Sequence, residues 1–380
     1  MTMYDYIIIG AGASGLLLAD AMGSDDFFAS KSILLIDKED KTQNDRTWCF
    51  WEVGTGDFDH MLQKSWPNIY FAGKELRLST SISPYTYKML RGLDFYTHYN
   101  NQIEKYSNIT RVKDEVLKVS ESEEKTEVIG KDGSYWGHVV FNSMFSYDFL
   151  KEQDKYPVLQ QHFVGWFIKT EKPVFNAEEA TFMDFSIAQK GNTRFTYVLP
   201  LSETEALFEY TLFSKDLLEK QEYENAITNY LDEHFSGVPY TIKEKEEGSI
   251  PMTAYPFDKK NTNSHMHIGI AGGWAKPSTG FTFYATSKKV KMLIAYLKQG
   301  KPLSKFHKKD KFLFYDMLLL DVLAKNNHLG QSIFESLFKK RKASLILKFL
   351  DNKTSLWEDV QMMAAPKPMP FVRALLGRLF

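Results

Sequence analysis

Tyr4-Asp5-Tyr6-Ile7-Ile8-Ile9-Gly10-Ala11-Gly12-Ala13-Ser14-Gly15 opens the chain and decides its fold. The apolar, β-branched run to Ile9 has the pattern of a strand buried on both faces. Its first glycine makes a tight turn, the second lets backbone approach a pyrophosphate, and the third packs the next helix on the strand. Leu16-Leu17-Leu18-Ala19-Asp20-Ala21-Met22 reads as that helix, whose first amides point at the phosphates. Ser32-Ile33-Leu34-Leu35-Ile36 is a second buried strand, and Asp37 ends it 22 residues after Gly15. A carboxylate there takes ribose hydroxyls, so the unit predicts a dinucleotide with a free 2′-hydroxyl, NAD or FAD.

A second glycine cluster lies far downstream. His265–Ala271 reads as a buried strand ending in Gly272-Gly273, followed by Trp274-Ala275-Lys276-Pro277-Ser278-Thr279-Gly280. A late strand and helix start that return to the same nucleotide suit FAD, a long molecule held at both ends. Candidate cofactor-binding residues are therefore Gly10, Ala11, Gly12, Ala13, Ser14, Gly15, Asp37, Gly272, Gly273, Thr279 and Gly280.

Between the two clusters the periodicity changes. Phe163–Ile168, Ala180–Ile187, Arg194–Pro200 and Ala206–Phe213 are short, aromatic and β-branched, the signature of an antiparallel sheet. Lys215–Phe235 reads as an amphipathic helix, and Ser83–Tyr106 as helical in part. After Gly300 the pattern is almost entirely helical, with basic clusters at Lys305–Lys311 and Lys339–Lys342. The predicted class is α/β: an FAD-binding doubly wound (Rossmann-like) domain, an inserted antiparallel β-sheet substrate domain, and a helical C-terminal region. The expected bounds are 1–160 with 250–300 for the first, 161–249 for the second and 301–380 for the third.

Composition narrows the function classes. With 380 residues, 43% hydrophobic and 25% charged, the chain is long and apolar enough for about two globular domains. Cys49 is the one cysteine, so neither a disulfide framework nor a thiolate metal site is available, and no metal is expected. No 18-residue uncharged apolar run exists and no signal peptide is evident, which points to a cytoplasmic protein. The net charge of −1 hides an asymmetry: Trp274 onward carries 20 Lys and Arg against 7 Asp and Glu. Such a basic third fits an anionic partner. Nucleic acid is not expected, since no recognised module interleaves these charges with exposed aromatics.

Asp45-Arg46-Thr47-Trp48-Cys49-Phe50-Trp51-Glu52 resembles the lycopene cyclase family, specifically bacterial flavin-dependent β-cyclases. Thr181–Phe185, Arg194–Leu201, Glu247–Met252 and Ala275–Phe281 are similar to later blocks of that family in the same order. The helical C-terminus, with Ile346–Leu350 and Pro366–Phe371, fits as well. The resemblance implies Arg46 as a further cofactor contact. It also implies an acid in a strand motif of a glutamate, a second acid and a threonine. The matching segment here is Leu207-Phe208-Glu209-Tyr210-Thr211, which keeps Glu209 and replaces the second acid by Tyr210.

Period two places Glu209 on one face with Leu207, Thr211 and Phe213. A carboxyl buried on such a face stays protonated, as a general acid must. Asp184, in an apolar segment of the same sheet, is a second catalytic candidate. The reaction implied is non-redox: an acid protonates a terminal double bond of lycopene, the next double bond closes the ring on the cation, and a ring proton leaves. The family uses reduced FAD without net electron transfer, with NAD(P)H as the source of reducing equivalents. Trp48, Phe50 and Trp51 are possible partners of the cation.

Lycopene and related acyclic carotenes reside in the bilayer, so the basic C-terminal region becomes a candidate docking surface at the inner membrane. The tail Phe371–Phe380 alternates apolar and basic residues in a way suited to an interface. The rival reading is an FAD-dependent oxidoreductase of the aromatic hydroxylase or isoprenoid reductase type. A non-catalytic lipid carrier would have little use for the dinucleotide fingerprint.

Overall fold

The computed structural model describes residues 2–306 and 310–379, the Leu379 side chain excepted. His307, Lys308 and Lys309 of the Lys305–Lys311 cluster, and Phe380 of the tail, lie outside the described residues.

The opening fingerprint folds as β1 (Met3–Ile9), a glycine turn and α1 (Ala13–Gly23), and β2 (Ile33–Asp37) returns parallel to β1. Ile7–Ile9 and Ile33–Ile36 are buried because apolar residues cover both faces of these two strands. Beside them lie β8 (Ile109–Lys113), β9 (Val116–Glu121), β10 (Thr126–Gly130) and β11 (Ser134–Asn142), in the order β8-β2-β1-β11-β10-β9. The expected Rossmann-like core is present.

The second glycine cluster departs from its reading. The strand there is only β17 (His265–His267), parallel to β11, and Gly269–Gly272 turns as a 3-10 helix. Gly269 and Gly273 adopt φ of 61° and 66°, a left-handed backbone that takes the chain out of the ladder. Nor does the Ser83–Tyr106 stretch begin as helix: β7 (Tyr85–Arg91) precedes α2 (Gly92–Ile103). With β3 (Thr47–Val53) and β4 (Lys64–Trp66), β7 makes a three-stranded sheet in the order β3-β7-β4.

The third sheet contains the predicted antiparallel strands. Its order is β16 (Tyr240–Met252), β12 (Leu159–Thr170), β15 (Glu205–Ser214), β14 (Thr193–Pro200), β13 (Glu179–Asp184), β5 (Asn68–Ala72) and β6 (Arg77–Ser81). The sheet therefore reaches beyond the expected 161–249: β5 joins β13 in parallel and brings β6 with it from the first segment. All its other pairings are antiparallel.

Alternation along β15 separates two cores. Leu207 and Phe213 face one, while Phe208, Tyr210 and Leu212 face the other, beneath α4 (Lys220–His234). A single turn, α3 (Asp148–Lys151), leads into β12. The remaining helices are α5 (Phe283–Leu297), α6 (Lys311–Lys325), α7 (Gly330–Lys340), α8 (Ala343–Leu350), α9 (Leu356–Met363) and α10 (Pro368–Leu379). Leu320, Leu323, Phe334, Phe338, Ile346 and Leu347 of these helices close the Leu207 side of the large sheet. Among the described residues no helix is long and apolar enough to cross a membrane.

Candidate active site

The glycine turn has the shape a pyrophosphate needs. Gly10 adopts φ 95°, and a Cβ on Gly15 would lie 1.8 Å from the Gly10 carbonyl oxygen, so both positions require glycine. A Cβ on Gly12 would meet nothing within 4 Å, and this residue caps α1 without a side-chain hydrogen bond. The α1 N-terminus thus offers open space and amides that no side chain caps. Asp37 Oδ2 accepts from the Ala11 amide at 2.5 Å, which fixes the turn against the end of β2. Ala13 and Ser14 start the helix behind this turn.

The late loop returns to the same place, as the length of FAD requires. A Cβ on Gly269 would press on the Ser14 hydroxyl at 2.6 Å. From there the chain runs past Gly272 and Gly273, which line a cavity of about 430 Å³, to Gly280, which lines a second of about 260 Å³. Cys49, Phe281, Thr282 and Phe283 form a wall common to both. Arg46 is exposed and lines the smaller cavity. Thr279 lines neither; it is buried, with a hydroxyl that has no hydrogen-bond partner. Together, the open glycine turn and the loop that closes on it fit a dinucleotide cofactor.

Glu209 faces that smaller cavity. Trp48, Tyr87, Phe163, Tyr197, Leu207 and Phe283 line it too, so the residual accessibility of Glu209 opens onto a partly open cavity with a largely aromatic wall. Burial, reinforced by the charge of Glu246, pushes the Glu209 carboxyl up to about 8, against a hydrogen bond from Thr211 that favours the anion. That hydrogen bond is 2.6 Å long, from Thr211 Oγ1 to Glu209 Oε1. At neutral pH the group is mostly protonated, the form a proton donor needs.

Glu246 went unremarked in the sequence, and the register explains why. Gly165 of β12 pairs with Glu209 on one side and with Glu246 of β16 on the other. The two acids are 37 residues apart in the chain and two strands apart in the sheet. The findable signal was Glu244-Lys245-Glu246-Glu247 running into the Glu247–Met252 block, where period two puts Glu246 on one face with Gly248 and Ile250. Thr47 Oγ1 donates to Glu246 Oε2 at 2.6 Å, while Oε1 is buried with no hydrogen-bond partner. Burial raises this carboxyl as well, opposed by Thr47 and then by Arg91.

Tyr210 resolves the departure from the strand motif. Its side chain lies on the α4 side, 3% exposed, and its hydroxyl accepts from Arg194 Nη1 at 2.9 Å. Period two sends position 210 away from the cavity, so an acid there would not face Glu209's space. Asp184 also stands apart from the cavities. Its Oδ1 accepts from the Ser186 amide and hydroxyl, and its Oδ2 from Tyr230 at 2.8 Å, which ties β13 to α4. Of the aromatic candidates, Trp48 lines the cavity and stacks on Phe283 at 4.9 Å. Phe50 and Trp51 are buried beside the larger cavity, and Trp51 Nε1 donates to the Leu347 carbonyl.

Comparison with known proteins agrees with this architecture. A geranylgeranyl bacteriochlorophyll reductase-like protein from Thermoplasma acidophilum superposes with a TM-score of 0.63 at 12% identity, covering 98% of each chain. A flavin-dependent brominase gives 0.59 at 17% identity over 99% of both chains. A flavoprotein/dehydrogenase from Cytophaga hutchinsonii gives 0.60 at 11% identity, over 99% of this chain and 100% of that one. At these identities the likeness establishes the fold. No curated protein sequence matches the chain significantly. The family model described as lycopene cyclase protein matches residues 5–376, nearly the whole chain. The chain therefore belongs to the lycopene cyclase family.

Proposed function

We propose that this protein is a lycopene β-cyclase, an isomerase that closes the linear ends of lycopene into β-ionone rings, giving β-carotene by way of γ-carotene. The observation that carries the reading is Glu209, a carboxyl raised by burial and facing an aromatic-lined cavity, in a chain of this family. In that space the Glu209 proton passes to the terminal double bond and leaves a tertiary cation. The next double bond attacks it, and the ring closes. Trp48, Tyr87, Tyr197 and Phe283 line this space, where aromatic rings would stabilise the cation.

The glycine turn, Asp37, Arg46 and the Gly272–Gly280 loop are the residues that would hold FAD. Reduced by NAD(P)H, a bound flavin would supply a fixed negative charge near the ring-forming carbons. The same fold carries reductases and oxygenases, so the rival reading is an FAD oxidoreductase on an apolar substrate. Chromatography with mass analysis of carotenoids from lycopene-accumulating bacteria separates the two. Unchanged mass with a shortened chromophore supports the cyclase; gained oxygen or hydrogen supports the rival.

The C-terminal region supports peripheral docking on the inner membrane. Leu356, Trp357, Val360 and Met363 recur on α9 at helical spacing and are exposed, Leu356 and Trp357 at 70% each. Met369, Val372 and Leu376 do the same on α10. Lys353, Lys367 and Arg373 are exposed among them. Apolar side chains beside cations fit an anionic lipid surface, and a protein docked there draws its substrate from the bilayer.

A further inference from the structure

The cyclisation releases one proton for each proton it consumes, and the smaller cavity contains two carboxyl groups. Glu209 and Glu246 flank Gly165 in the same row of the large sheet and line the same space. Gly165 makes the arrangement possible. A Cβ there would sit 3.0 Å from Glu246 Cγ and 3.0 Å from Leu207 Cδ1, so any side chain would wedge into the row between the two acids.

Their surroundings differ in one respect. Glu246 has Arg91 and Arg46 among its charged neighbours, with Glu244 opposing them, and Thr47 donates to one of its oxygens. Among the described residues Glu246 is the charge that acts on Glu209; Tyr197, Tyr87 and the Cys49 thiol, which line the same space, are kept neutral by burial. Two carboxyl groups that line one buried space oppose each other's ionisation, which favours a state with one proton on the pair. Burial holds Glu246 above the usual carboxylate range, and the guanidinium groups of Arg91 and Arg46 oppose that rise, whereas at Glu209 the opposing group is the Thr211 hydroxyl. Glu246 lines the cavity, and its Oε1 is buried with no hydrogen-bond partner among the described residues.

We propose that Glu246 is the base of the reaction, taking the ring proton after Glu209 has protonated the terminal double bond. This rests on the cyclase reading. In one turnover Glu209 gives its proton to carbon and becomes a carboxylate, and the new carbon–carbon bond moves the cation into the ring. Loss of the ring proton to Glu246 forms the ring double bond. Transfer of that proton from Glu246 to Glu209 restores the starting state with no net proton, atom or electron exchanged.

The position of the base selects the ring type, which gives a readout that a merely structural residue would not move. The test uses full-length Glu246→Gln with lycopene in anionic vesicles, FAD and a chemical reductant, the products being resolved by ring type. Flavin is expected to bind as in the unmodified protein and the rate to fall at least about 100-fold. Residual product is expected to carry ε or γ rings, because the cation then loses a proton from another carbon. Glu246→Asp, which keeps a carboxylate, is expected to recover β rings at a reduced rate, and it remains the deciding variant if Glu246→Gln fails to fold. β rings at the unmodified rate from Glu246→Gln overturn the inference and leave the cyclase reading standing. A Glu246→Asp protein that binds flavin but forms no β rings also overturns it. Unmodified protein that leaves lycopene unchanged under the same conditions overturns both.

Discussion

Glu209 and Glu246 oppose each other across Gly165, each paired in register with a residue that has no side chain to keep them apart. This relationship links an aromatic-lined cavity, a raised carboxyl and a second carboxyl held by Thr47. Its consequences reach both catalysis and stability.

Glu209→Gln is expected to abolish lycopene conversion while leaving flavin bound, since the amide has no acidic proton to give. In the unmodified enzyme, activity should hold at neutral pH and fall as pH rises through about 8, where Glu209 loses its proton. Stability carries the same sign. Between about 4.5 and about 8 the folded protein keeps a proton that the unfolded chain has released, so stability declines as pH rises through this window. Melting curves of Glu209→Gln and the unmodified protein should therefore diverge toward alkaline pH, the variant melting higher. Parallel curves from pH 5 to 9 would mean that Glu209 is already ionised in the fold.

Gly165→Ala introduces one methyl group where two neighbours already stand 3.0 Å away. Relief requires movement of Glu246 and Leu207, at a cost of about 1–3 kcal/mol by analogy with overpacked cores. Cyclase activity should drop more than chemical denaturation accounts for, because the disturbed residues include an acid at the cavity. Full activity in Gly165→Ala would show that the spacing of the acids is unimportant.

Gly12→Asp tests the nucleotide site without disturbing the core. The position has open space and an extended φ of −80°, so an aspartate fits the backbone. Its carboxylate would occupy the approach to the α1 N-terminus and repel a pyrophosphate. The purified variant should be folded and colourless. Normal flavin absorbance would place the pyrophosphate elsewhere.

Trp357→Glu puts a charge into the exposed apolar face of α9 and should leave the fold intact. Co-sedimentation with anionic vesicles is expected to fall several-fold, and binding of the unmodified protein should weaken in high salt. Equal sedimentation of both proteins would move the docking surface away from α9.

Asp184→Asn separates structural from chemical roles in the same sheet. The carboxylate accepts three hydrogen bonds between β13, Ser186 and α4, so the variant should lose about 1–3 kcal/mol of stability. Turnover of the folded fraction should be unchanged. A selective loss of turnover would return Asp184 to the chemistry.

Much of this molecule was legible because its signals are local. Glycines at 10, 12 and 15, flanked by β-branched residues, encode strand, turn and helix through backbone sterics alone. Alternation in Ala206–Phe213 likewise places Glu209 on a definite face, and the sheet keeps that face. Left-handed glycines at 269 and 273 shortened the late strand to His265–His267, a backbone choice that an apolar run does not display. Residues 68–81 carried no mark of belonging to the substrate sheet, since strand partners are chosen by packing at long range.

The dinucleotide-binding core, the antiparallel layer and the strand face that carries Glu209 all follow from local patterns along the chain. That Tyr210 packs beneath α4 against Arg194, and that Glu246 lines the same cavity as Glu209, came from long-range packing. Pairing of β15 and β16 through β12 is a register between distant segments, and register follows from how whole faces pack. A missing side chain at Gly165 is silent in the chain, yet it makes the room two acids need to share one space.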